Sequence, residues 1–128
     1  MKLHHVGVAV EDLDAAVELY QKVFGAELAH RASNEDLTAA FLRAGESEVE
    51  LLQPLRDDTP VGKFLARRGP GLHHIAVAVP DIDRAIADAR AQGLEMIDQE
   101  PRIGLHGTRI AFVSPKSVGG VLTEFVEE

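Results

Sequence analysis

Leu72-His73-His74-Ile75-Ala76-Val77-Ala78-Val79-Pro80-Asp81-Ile82-Asp83 decides how this chain is to be read. Leu3-His4-His5-Val6-Gly7-Val8-Ala9-Val10-Glu11-Asp12-Leu13-Asp14 spells nearly the same pattern 69 residues earlier. Between residues 3–17 and 72–86, nine of fifteen positions are identical, and most of the others exchange one apolar residue for another. Two copies are too few for a solenoid, which needs at least about three units to bury its faces. The pattern is an internal duplication, so a feature present at matching places in both copies asks for a shared explanation.

Each copy starts as a strand and passes into a helix. In residues 2–10, His5, Gly7 and Ala9 alternate with Val6, Val8 and Val10. The valines form a face to be covered, and the small neighbours of His5 leave room on the other. Asp12 is placed to cap a helix carrying Ala16, Leu19, Tyr20 and Val23, with Gly25 as its stop. Strands are expected over 27–32, 37–43 and 48–53, separated by the turn residues 33–36 and 44–47. The second copy repeats the order: a strand over 72–79, a helix capped by Asp81 that stops at Gly93, then strands over 95–98, 108–114 and 120–127. Between the copies, Thr59-Pro60 opens a short helix over about 60–68, closed by Gly69. The expected fold class is α+β: two tandem βαβββ modules curved around one metal-binding cleft. The chain 1–128 is read as a single domain, with module one at 1–54, a linker helix at 55–71 and module two at 72–128.

Composition narrows the chemistry. The 128 residues are 45% hydrophobic and contain no cysteine, so disulfides and thiolate metal sites are excluded. A net charge of −8 argues against nonspecific nucleic-acid binding. No apolar run reaches membrane-spanning length and no signal peptide opens the chain, which reads as a soluble, cytoplasmic protein without a membrane partner. The densest basic cluster is Lys63, Arg67 and Arg68 on the linker helix; with Arg109 and Lys116 it is expected to serve any anionic ligand.

His5 and His74 lie near the start of each module, and Glu50 and Glu124 lie inside the apolar last strands Val49-Glu50-Leu51 and Thr123-Glu124-Phe125. Taken singly, a strand histidine is usually structural and a strand glutamate usually faces solvent. The pairwise match weighs the other way. A carboxylate in an apolar strand is costly to bury unpaired, and two imidazoles with two carboxylates around one divalent cation remove that cost. The set His5, Glu50, His74 and Glu124 suits a first-row ion such as Co²⁺, Mn²⁺, Ni²⁺ or Zn²⁺. A six-coordinate ion would keep two positions for two oxygens of one substrate. His4 and His73 also match, but alternation puts them on the valine face as strand-end polar residues; Glu48 is read as a solvated neighbour of Glu50.

At this point the chain resembles a known family. Paired βαβββ modules with a His at each start and a Glu at each end are similar to the vicinal oxygen chelate superfamily of glyoxalase I, extradiol dioxygenases and fosfomycin and bleomycin resistance proteins. Within it, His5-Val6-Gly7-Val8-Ala9, Val49-Glu50-Leu51-Leu52-Gln53-Pro54, Gly71-Leu72-His73-His74-Ile75-Ala76, Pro101-Arg102-Ile103-Gly104-Leu105-His106-Gly107 and Pro115-Lys116-Ser117…Gly120-Val121-Leu122-Thr123-Glu124 resemble the methylmalonyl-CoA epimerase family. The resemblance implies an isomerase interconverting (2R)- and (2S)-methylmalonyl-CoA through a metal-chelated enolate, a small-molecule acyl-CoA substrate and a homodimer. Carried over by motif, the ligands are His5, Glu50, His74 and Glu124, with Glu124 also a base. Some family members carry an opposing base, a glutamate, where this chain has Ala39 between Thr38 and Ala40. His106, on a glycine-flanked loop, is the best remaining candidate for the second acid–base group. The alternatives are a glyoxalase-I-like isomerase using the same four ligands, a dioxygenase with three protein ligands that would leave Glu50 surplus, and a sequestering protein that needs none of them.

Overall fold

The computed structural model describes residues 1–128 and contains eight strands and three α-helices. The chain forms two compact units, one spanning His5–His73 and the other joining Met1–His4 to His74–Glu128. No helix is long and apolar enough to cross a membrane.

The first unit takes β1 (Lys2–Ala9) from His5 onward, followed in order by α1 (Leu13–Phe24), β2 (Leu28–Ser33), β3 (Leu37–Ala44), β4 (Ser47–Pro54) and α2 (Pro60–Arg68). The strands line up as β2-β3-β4-β1, antiparallel except for the β4–β1 pair. Val8 and Val10 pack with Ala40, Leu42, Val49 and Leu51 against α1. The Asp12 carboxylate accepts from the Ala15 amide, and Gly25 ends α1 at φ 60°, a conformation only glycine takes without cost. The buried stripe of α1 is Leu13, Ala16, Val17 and Tyr20, at i, i+3, i+4 and i+7. Leu19 and Val23, expected in that stripe, are 57% and 66% exposed: Leu19 lies on its flank and Val23 in the last turn.

In the second unit, β5 (Gly71–Val79) leads into α3 (Ile82–Ala91), and β6 (Arg102–Ile103), β7 (Arg109–Val113) and β8 (Thr123–Glu127) complete the order β5-β8-β7-β6. Val79, Ala111 and Val113 pack against Ile82, Ile86 and Ala89 of α3. The strand expected over 95–98 does not form. Met96 makes one bridge to Val113, and the Asp98 carboxylate, rather than a strand carbonyl, accepts the Phe112 amide at 2.8 Å. The last strand likewise starts at Thr123 instead of 120. Pro115–Val118 is a 3₁₀ turn, and Gly119 and Gly120 both take positive φ, which ends extended structure there.

One pair of contacts is invisible to local reading. The Gln53 side chain accepts the first amide of α1, from Leu13, at 2.7 Å, and the Glu127 carboxylate accepts the first amide of α3, from Ile82, at 3.0 Å. Each lies three residues after the strand glutamate, so both units tie their last strand to the N-terminus of their helix, where acceptors are favoured.

α2 packs against β4 through its first turn. An ideal Cβ at Gly62 would lie 2.4 Å from the Arg56 carbonyl oxygen and 2.8 Å from that of Asp57. Gly62→Ala is therefore expected to lower the unfolding free energy by about 1–3 kcal/mol, measured by urea denaturation. Gly71→Ala, whose Cβ would meet nothing within 4 Å, serves as the control. Equal stability of the two variants would refute the close approach.

Candidate metal centre

The strand registers put the same constellation in each unit. In the first, Gly7 of β1 stands opposite Glu50 of β4, and Phe41 of β3 stands opposite Glu50 on the other side. In the second, Ala76 of β5 and Phe112 of β7 flank Glu124 in the same way. The small residue leaves space beside the carboxylate, and the histidine two positions before it, His5 or His74, shares its face. That face is the one turned away from the helix, because the alternate residues pack on α1 and α3.

Both pairs are dry. His5 is 1% exposed, Glu50 5%, His74 4% and Glu124 5%. His5 Nε2 lies 3.7 Å from Glu50 Oε1, and His74 Nε2 lies 3.2 Å from Glu124 Oε1. Two neighbouring donors on one ion at about 2.0–2.2 Å lie about 2.8–3.6 Å apart. The second pair falls within that range and the first just outside it. Buried imidazole and carboxylate with no sulfur form a donor set for a first-row divalent ion, so the residues present fit such an ion.

His106 is half-buried in the turn between β6 and β7. Its ring meets that of His4 edge-on, with centroids 5.0 Å apart, and His4 Nε2 is 3.4 Å from Glu128 Oε2. His4 is thus more than a strand-end polar residue: it joins the chain terminus to the His106 turn. His73 meets Phe64 of α2 edge-on at 5.0 Å. Glu48 is half-buried rather than fully solvated. Ala39 is wholly buried in β3 and offers only a methyl group, no acid–base function.

The basic residues separate into distinct groups. Lys63, Arg67, Arg68 and Lys116 are exposed, with the Arg68 guanidinium over the Phe64 ring. Arg109 is committed elsewhere. It binds both oxygens of Glu127 at 3.0 Å and Asp83 at 3.0 Å. These contacts hold the Glu127 carboxyl below its ordinary range, first through the Arg109 hydrogen bonds and then through the Ile82 amide. An arginine so engaged is a structural clamp rather than an anion contact. Arg102 was passed over by composition-based reasoning. Its guanidinium lies over the Phe112 ring at 5.4 Å, beside the His74–Glu124 pair.

Comparison with known proteins agrees with this geometry. The family model described as Glyoxalase/Bleomycin resistance protein/Dioxygenase superfamily matches residues 4–112. The mitochondrial methylmalonyl-CoA epimerase of Dictyostelium discoideum is 36% identical over 130 residues, covering 99% of this chain and 78% of the relative. A solved methylmalonyl-CoA epimerase in complex with methylmalonyl-CoA and NH4+ superposes with a TM-score of 0.95 at 42% identity, covering 99% of this chain and 94% of the other. A variant of the Streptomyces coelicolor methylmalonyl-CoA epimerase in complex with 2-nitronate-propionyl-CoA also gives 0.95 at 42% identity, over 100% of this chain and 94% of the other.

Proposed function

Because the chain belongs to the glyoxalase/bleomycin resistance protein/dioxygenase superfamily, we propose that it is an enzyme that epimerises methylmalonyl-CoA at C2, interconverting the (2R) and (2S) forms. The observation that carries this reading is the duplicated buried His–Glu pair, in a chain similar over its length to epimerases of that name. His5, Glu50, His74 and Glu124 are the residues that would hold one divalent ion. Held there, such an ion would supply Lewis acidity toward the thioester carbonyl, which would acidify the C2 proton.

The remaining work belongs to side chains. Glu124 takes or returns the C2 proton on one face of the substrate, and His106 serves the other, since inversion needs an acid–base group on each side. Phe41 and Phe112, in register with the two carboxylates, keep water from them. Glu50 repeats the burial and register of Glu124, which favours four protein donors over the three of a dioxygenase. This donor set accepts first-row divalent ions, of which Co²⁺ or Mn²⁺ are the ions proposed and Zn²⁺ or Ni²⁺ the alternatives. A homodimer is supported by the exposed apolar strip Leu19, Val23 and Phe24 on α1, and a cytoplasmic setting by the acidic, cysteine-free composition.

The test is deuterium incorporation at C2 of (2S)-methylmalonyl-CoA in deuterated water, followed by NMR together with the appearance of the (2R) form. Both should occur with Co²⁺ or Mn²⁺ present, disappear after chelation and return on adding the ion back. A metal-loaded protein that leaves C2 unlabelled is not this epimerase.

A further inference from the structure

We propose that the hairpin formed by β6 and β7 is the subsite for the free carboxylate of the substrate, with Arg102 and Thr108 as its donors; this rests on the epimerase reading above. Arg102 pairs with Ile110 across the hairpin, and Thr108 lies two residues before Ile110, so all three share one face. Ile110 packs with Ala76, Val126 and Phe112, which identifies that face as the one bearing His74 and Glu124.

Two independent features mark the hairpin as built for a polar ligand. The first is how Arg102 is held. Its Nε contacts Asp98 Oδ1 at 3.1 Å, and the Asp98 carboxylate is itself anchored by the Phe112 amide. The guanidinium lies over the Phe112 ring, and the other neighbour of that ring is the His74 imidazole, edge-on at 5.8 Å. The Nε contact engages one edge of the guanidinium and leaves the Nη pair, a fork that matches a carboxylate, for a ligand beside the Phe112 ring. The second is Thr108. Its hydroxyl is buried and has no hydrogen-bond partner in the chain. A buried polar atom without a partner costs free energy, and a bound acceptor or donor would recover it.

The ligand chemistry follows from position. A thioester bearing a carboxylate on C2 carries its negative charge close to the reacting carbon, whereas the phosphates of coenzyme A lie far from it along the pantetheine arm. Contacts beside the His74–Glu124 pair therefore read the acyl group and distinguish 2-carboxyacyl thioesters from simple ones.

Calorimetric binding of malonyl-CoA and of propionyl-CoA to the metal-loaded protein tests this, since the two ligands share every phosphate and differ in the carboxylate. Wild type is expected to prefer malonyl-CoA. Arg102→Gln should weaken malonyl-CoA roughly tenfold or more, as expected for a charge-assisted hydrogen bond, and leave propionyl-CoA within about twofold. Arg102→Lys should recover part of the loss. Thr108→Val should weaken malonyl-CoA several-fold without lowering the melting temperature, because the hydroxyl it removes is unpaired in the free protein. Equal weakening of both ligands by Arg102→Gln would assign the arginine to the phosphates, and unchanged binding would leave it no role; either overturns the subsite. A wild type that binds the two ligands alike would instead count against the epimerase reading itself.

Discussion

His74→Ala is expected to strip the divalent ion from the protein and to abolish epimerisation while the chain stays folded. The imidazole is 4% exposed and 3.2 Å from Glu124, the position of a direct ligand in the proposed site. Loss of an outer-shell partner already costs about 10–100-fold in metal affinity, and loss of a direct ligand should exceed that. Removing one member of a buried pair also costs about 3–5 kcal/mol of stability, so His74→Gln, which nearly preserves volume, accompanies the alanine variant. Metal content after dialysis, C2 exchange and circular dichroism are read together. A folded His74→Ala protein retaining one ion per chain would remove His74 from the ligand set. Glu50→Gln extends the test to the other unit: if the two pairs share one ion, it too should lower metal content, whereas an ion held by the second pair alone would be indifferent to it.

His106→Ala separates the two halves of inversion. With Glu124 intact, C2 can still be deprotonated and reprotonated from one side, so deuterium should enter a single epimer without conversion to the other. Epimerisation is expected to fall about 10²–10⁴-fold, the usual contribution of one acid–base group. Each pure epimer, incubated separately in deuterated water and followed by NMR, reports the two activities independently. Full epimerisation by the variant would end the assignment of His106 and leave the metal ligands untouched. The experiment matters because Ala39 of β3 is fully buried and carries no acid–base group that could serve in place of His106.

Much of this protein could be read from residue order. The duplication, the alternation in β1 and β5, the Asp12, Thr59 and Asp81 caps and the boundaries of α1 and α2 are local features, written in residues a few positions apart. The four candidate ligands stood out because the duplication presents the same His and Glu twice. Where local signals competed, the reading failed. Residues 95–98 carry strand-like apolar residues, but the segment keeps only the Met96–Val113 bridge with a few backbone bonds to β7, and the Asp98 side chain takes the Phe112 amide.

The tertiary structure decided matters that depend on strand register and on side chains distant in the chain. Glu50 faces Gly7 and Phe41, and Glu124 faces Ala76 and Phe112, only because β4 and β8 align as they do; a one-residue slip would turn each carboxylate to the helix side. Gln53 and Glu127 cap helices that begin 40 and 45 residues before them. Arg109 and Arg102 look alike in sequence, yet adjacent strands send one to Glu127 and Asp83 and the other over Phe112. Local periodicity sets which residues share a face. Which of them meet is a pairing between segments, and that is settled by packing.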